Sequence, residues 1–280
     1  MKHSGVPTEA ASIYNHALKL STSGDYKTAL NEYMKALEIH PTFIEAYNNM
    51  GEIYSQLGDR DLAIHNYKKA LKIERNYRVL LNLGVEYYNT GDYSTALKFF
   101  HESIELKKNF IEGNFYTGMA YFNKKEFKSA EKYFNIVVQQ DGKHLKANYL
   151  LAYIYYEWKK YAQTIECLDR IHDIADDRMF LNRYYGFCYY HLGDYEKAVN
   201  FLTEALEASP RYSKFKNYLK GLTYENKMKE IGDLDGKIKE MEKKMMDVKP
   251  SLREYTHLSM LYIFKGEYQK AESLLQGVAV

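Results

Sequence analysis

The feature that most constrains this chain is a motif that returns every 33 to 38 residues, usually every 34. A small residue is followed three positions later by tyrosine, as in Gly51/Tyr54, Gly84/Tyr87, Gly118/Tyr121, Ala152/Tyr155, Gly186/Tyr189, Gly221/Tyr224 and Ser259/Tyr262. Alignment on the small residue gives units that begin near Ala10, Ile44, Tyr77, Ile111, Leu145, Met179, Lys214 and Leu252. A unit of this length cannot bury its own apolar face, so it is stable only when neighbours stack on it.

Each unit reads as helix, turn, helix. The first helix carries the small residue, which admits a neighbouring helix, and the tyrosine one turn on fills the space beside it. The turn reads Gly24–Asp25, Gly58–Asp59, Gly91–Asp92, Gly193–Asp194 and Gly266–Glu267. Glycine there ends a helix in the left-handed conformation, and an acidic residue suits the start of the next. Lys125 and Lys159 stand where two units would have glycine. The second helix repeats alanine, a large apolar residue and a small one, as in Ala63/Tyr67/Ala70 and Ala96/Phe100/Ser103. The seventh unit is stretched, with a charged connection over 226–236 before a helix bearing Ile238, Met241, Met245 and Val248 at seam spacing. The eighth stops early, after Leu274 and Leu275.

The rest of the composition excludes more than it proposes. Four prolines and no β-branched alternation leave helix as the default. A formal net charge of +2 gives no polyanion-binding footprint. Cys167 and Cys188 lie inside helical patterns and read as reduced core thiols, which suits a reducing compartment. The first nine residues lack a secretory apolar stretch and no run reaches membrane-spanning length, so the expected location is cytoplasmic. Nine scattered histidines show no zinc spacing, and no phosphate loop, dinucleotide fingerprint or nucleophile elbow is present. The expectation is a chain with no enzyme activity, cofactor or metal.

The correlated motifs resemble the tetratricopeptide repeat (TPR) family from residue ten onward. The resemblance implies an all-α fold, a right-handed superhelical α-solenoid of about eight helix–turn–helix repeats whose first helices line a concave groove. A disordered tail is expected over 1–9 and the solenoid over 10–280. Its repeats would cover 10–43, 44–76, 77–110, 111–144, 145–178, 179–213, a degenerate and extended 214–251, and a truncated 252–280.

In this family, fixed positions of each first helix face the groove. Carried over residue by residue, the sixth position gives Asn15, Asn49 and Asn82, then Tyr116, with Asn48 and Asn89 nearby. An amide side chain offers an acceptor and two donors, which matches a peptide unit. The series is similar to the asparagine ladder in the repeat domain of O-linked N-acetylglucosamine transferase; it is also what solvated polar positions would look like. From the fourth repeat the surface turns aromatic: Phe115, Tyr116 and Phe122, then Tyr149, Tyr153 and Tyr156, then Tyr184, Phe187 and Tyr190, then Tyr218. Such stripes either pack on the neighbouring repeat or form an exposed patch rich in interface residues.

The carboxylate clamp that grips chaperone C-termini in this family needs Lys and Asn where Tyr14 and Leu18 stand, and Asn82 replaces a base. Basic residues at groove positions, among them Arg78, Lys146, Arg183 and Arg253, are too sparse for a phosphate-tracking path. The expected function is a non-catalytic protein–protein interaction scaffold or adaptor that holds a protein or peptide segment, with no nucleic acid and no direct membrane insertion. The alternative is a structural or regulatory module of a larger assembly. It would self-associate or dock through its C-terminal repeat, where Leu274 and Leu275 form an uncapped apolar end.

Overall fold

The computed structural model describes residues 5–207, 233–247, 250–265 and 267–277. These residues form fifteen helices and no strands, an all-α solenoid of antiparallel helix pairs. The chain divides into two compact units, Met1–Gln140 and Asp141–Val280.

The first unit holds four hairpins. They are α1 (Thr8–Thr22) with α2 (Tyr26–Ile39), α3 (Ile44–Leu57) with α4 (Arg60–Ile73), α5 (Tyr77–Asn89) with α6 (Tyr93–Leu106), and α7 (Ile111–Asn123) with α8 (Phe127–Gln140). Helix α1 starts at Thr8, inside the stretch expected to be a disordered tail; Pro7 precedes it with φ already helical, and the Ala11 amide bonds to the Pro7 carbonyl. Each first helix touches the next first helix, α1 on α3, α3 on α5 and α5 on α7, and α2, α4 and α6 touch α3, α5 and α7 in turn.

The turns obey the sequence. Gly24, Gly58, Gly91 and Gly193 all adopt left-handed backbone, with φ between 83° and 87°. Lys125 and Lys159 hold the same conformation at φ 62° and 58°, where a side chain is strained. After the turn, Asp25 and Asp92 accept a hydrogen bond from the amides of Thr28 and Thr95, capping α2 and α6.

What locks each hairpin is a register of sixteen residues. A Cβ built on Gly51, Gly84 or Gly118 would lie 2.5–2.6 Å from the ring of Tyr67, Phe100 or Phe134, and one on Gly186 would lie 2.6 Å from Leu202. The large side chain of the second helix thus fills the notch in the first, and all four of these fillers are buried. The tyrosine one turn further on lies over the second helix as well. Tyr87 stacks on Phe99, Tyr121 on Tyr133 and Tyr189 on Phe201, with interplanar angles of 17°, 11° and 6°.

The second unit holds α9 (Leu145–Glu157) with the short α10 (Tyr161–Asp169), and α11 (Arg178–Leu192) with α12 (Tyr195–Glu207). It also holds α13 (Leu234–Asp247), and α14 (Leu252–Lys265) with α15 (Tyr268–Gln276). Much of the stretched seventh repeat, including its expected first helix and Tyr218, falls outside the described residues. Its second helix is α13, which packs on α14 and carries buried Ile238 and half-buried Met241 and Met245; Val248 falls outside the described residues. The eighth repeat touches the sixth directly: α14 meets α11 and α12, α15 meets α12, and the Tyr190 hydroxyl lies 2.8 Å from Nδ1 of His257. Burial holds the His257 imidazole below its usual pKa. Cys167 and Cys188 are buried thiols that are not joined in a disulfide, and burial pushes the Cys167 thiol up to about 12.

Candidate partner-binding face

The groove positions are first-helix positions, and the two units treat them differently. In the first unit, α3, α5 and α7 each bury the face that meets their second helix. Groove positions on these helices carry Asn48, Asn49, Asn82, Phe115 and Tyr116, all half-buried, and exposed Asn89, while Asn15 is exposed on α1. These seven side chains are accessible on consecutive first helices that touch one another.

The amides are not idle there. Both N–H donors of Asn49 are spent on phenols, with its Nδ2 3.0 Å from the Tyr14 hydroxyl and 3.1 Å from that of Tyr33. Burial holds Tyr14 above the usual phenol range and Tyr33 at about 12, so both remain neutral. Asn82 reaches back one repeat, donating to Oδ1 of Asn48 at 3.0 Å and to Oε1 of Glu52 at 2.8 Å. Asn48 donates to the same Glu52 oxygen at 2.7 Å. Through these bonds Asn48, Asn49 and Asn82 link repeats one, two and three. Glu52 is the centre of that network and was not singled out by sequence, because a lone exposed glutamate on a helix carries no pattern.

Next to this network, Phe115 and Tyr116 pack edge-on, and Tyr88 and Phe100 flank Tyr116. Asn123 donates to the Tyr88 hydroxyl at 2.6 Å. The clamp positions agree with the sequence comparison. Tyr14 is buried, and the Nε of Arg78 is directed at the Tyr77 hydroxyl, 3.1 Å away.

The aromatic stripe of the second unit is a correction. Tyr149, Tyr153, Tyr156, Tyr184 and Phe187 are all buried, as is Phe122 in the first unit, whereas Tyr190 is half-buried. Tyr149 meets Phe180 edge-on at 5.0 Å, Phe180 meets Tyr184 at 4.6 Å, and Tyr156 meets Tyr184 at 5.1 Å and Tyr161 at 5.9 Å. Rings from α9 and α11 fill one another's space, so they form core and not an open patch. Every residue from Ala147 to Tyr156 is buried. In the same way Leu275 is fully buried, sixteen residues beyond Ser259, and Leu274 is half-buried at the expected C-terminal docking end.

A second asparagine series went unnoticed in the sequence although its spacing is regular: Asn114, Asn148 and Asn182, each 34 apart and each buried. Asn114 donates to the carbonyls of Lys108 and Phe110, and Asn148 to those of Gly142 and His144, holding the loop that leads into its own helix. Asn182 donates to Glu204 across its hairpin. These amides satisfy buried groups and are not available to a ligand.

Among the described residues no helix is long and apolar enough to cross a membrane, and no three His, Cys, Asp or Glu side chains are placed to hold a metal ion.

Comparison with known proteins matches this geometry. Family models described as TPR repeat, tetratricopeptide repeat, and anaphase-promoting complex, cyclosome, subunit 3 match residues 18–58, 44–77 and 89–171, and a second tetratricopeptide repeat model matches 180–212. Human tetratricopeptide repeat protein 13 is 29% identical over 40% of this chain and 14% of its own length. The photosystem I assembly protein Ycf3 of Synechococcus elongatus is 38% identical over 23% of this chain and 36% of its own length. The chain therefore spans well under half the length of these relatives. The crystal structure of YrrB, described as a TPR protein with an unusual peptide-binding site, is 28% identical with a TM-score of 0.50, covering 60% of this chain and 88% of that one. Pseudomonas aeruginosa PilF shares the fold at 19% identity and a TM-score of 0.63, covering 76% of this chain and 97% of that one. With the repeat register, the left-handed turns and four family models in agreement, the chain belongs to the tetratricopeptide repeat family.

Proposed function

We propose that this chain is a non-catalytic adaptor that captures an extended or helical segment of a partner protein on the first-helix face of Met1–Gln140. The observation that carries the reading is the run of accessible amide and aromatic side chains, Asn48, Asn82, Phe115 and Tyr116, on three consecutive first helices, each touching the next. Aromatic side chains of this kind supply large contact area at low entropic cost, and tyrosine keeps its hydroxyl hydrated until a partner arrives. The printed descriptions of relatives point the same way: peptide binding for YrrB and photosystem assembly for Ycf3. The buried rings of the second unit have no part in first contact. They act as the rigid backing of their own helices.

The test is selection of peptides from a random displayed library on the immobilised full chain, followed by affinity measurement against a Phe115→Ala/Tyr116→Ala variant. Affinity is expected to fall at least about tenfold, the loss of one interface anchor. Unchanged affinity, with the urea midpoint of the variant close to the parent, refutes the reading.

A further inference from the structure

We propose that Glu52, gripped by Asn48 and Asn82, is the receptor for a lysine or arginine side chain of the captured segment. This rests on the reading just given and names the chemistry of its partner. The argument begins with hydrogen-bond supply. A carboxylate only accepts, so Asn48 and Asn82 must each turn an NH2 toward Glu52, which fixes which end of each amide faces where. With that orientation set, all six N–H donors of Asn48, Asn49 and Asn82 have acceptors: Glu52 twice, Asn48, Tyr14, Tyr33, and the Asn49 oxygen at 3.4 Å. What remains among these three amides and Glu52 is acceptor capacity, namely Oε2 of Glu52 and Oδ1 of Asn82. A peptide carbonyl or a carboxylate finds no unspent N–H on the three amides, whereas a donor-bearing group finds acceptors.

The charge balance narrows the donor to a cation. Among the described residues no lysine or arginine pairs with Glu52, although the side chain is exposed. Arg60, at the start of α4, faces buried Glu86 at 3.6 Å, and Arg78, at the start of α5, faces Tyr77. Tyr14, Tyr33 and Tyr67 are held neutral chiefly by burial, and each also feels the negative field of Glu52. Two amides that orient a carboxylate while leaving its charge uncancelled create a preorganised acceptor, and the matching group is an ammonium or guanidinium. Electrostatic preference on this face is thus the reverse of the carboxylate clamp.

The experiment runs the same random peptide library in parallel on the full chain, on Glu52→Gln and on Glu45→Gln. Glu45 is an exposed acid on the same helix, so both variants lose one charge but only the first alters the group held by Asn48 and Asn82. Peptides selected on the parent are expected to share one lysine or arginine. Their affinity should drop about tenfold on Glu52→Gln or on acetylation of that lysine, and hold on Glu45→Gln. Circular dichroism shows that the variants are folded. Selected peptides without a shared base, or equal affinity for parent and Glu52→Gln, overturn the assignment while the capture reading stands. An equal drop on both variants shows diffuse charge attraction and overturns it too. If the parent selects no peptide, the capture reading itself fails.

Discussion

Helices α5 and α9 stand at the same place in repeats three and five, yet one is amphipathic in use and the other is not. Helix α5 buries Leu80, Leu83 and Gly84 against its neighbours and leaves Arg78 and Asn89 exposed, with Asn82 half-buried. Helix α9 buries every side chain from Ala147 to Tyr156. Their groove positions hold residues of opposite character, Asn82 in one and Leu150 in the other. A repeat position therefore has no fixed exposure; it inherits one from what the adjoining helix sends toward it. Phe180 and Tyr184 of α11 send rings, and the rings of α9 become core.

This contrast can be broken most sharply by truncating one ring in each unit. Tyr156→Ala should cost about 3–5 kcal/mol in urea unfolding, as for other fully buried aromatics, whereas Tyr116→Ala should cost about 1 kcal/mol. Equal losses would mean that both stripes are core. The amides sharpen the same difference at lower energy. Asn148→Ala removes the donor shared by the Gly142 and His144 carbonyls and is expected to cost about 1–2 kcal/mol. Asn82→Ala, at an accessible site, should stay within about 0.5 kcal/mol by the same measurement. One further effect runs in the opposite direction. Lys125→Gly and Lys159→Gly should each raise stability by about 0.5–1 kcal/mol, because glycine relieves left-handed strain in both units alike. A loss at either lysine would reveal a side-chain role that the turn geometry does not show.

The repeat register was readable in the sequence because it is a property of single hairpins. Gly51 and Tyr67, or Gly84 and Phe100, sit in one short segment, and the turn glycines report their own backbone. The exposure of Tyr149, Tyr153, Tyr156, Tyr184 and Phe187 was not readable. An aromatic at helical spacing looks the same whether a neighbouring ring or water covers it, and the covering ring belongs to another repeat. Glu52 was missed for a related reason, since its role depends on Asn82, thirty residues away on a different helix. The contact of repeat eight with repeat six, through Tyr190 and His257, lies sixty-seven residues apart and has no local signature.

The sixteen-residue lock between a glycine and the ring that fills its notch joins two helices of the same hairpin. Its two halves are therefore inherited together. A hairpin copied, excised or moved within the gene carries both notch and filler, and the new neighbour need not match either. Bonds that cross from one hairpin to the next, such as Asn82 to Asn48 and Glu52, have no such protection and are reset at each rearrangement. Lineages descended from such an array should keep the lock wherever a repeat survives, while the contacts that give each array its individual surface turn over around it.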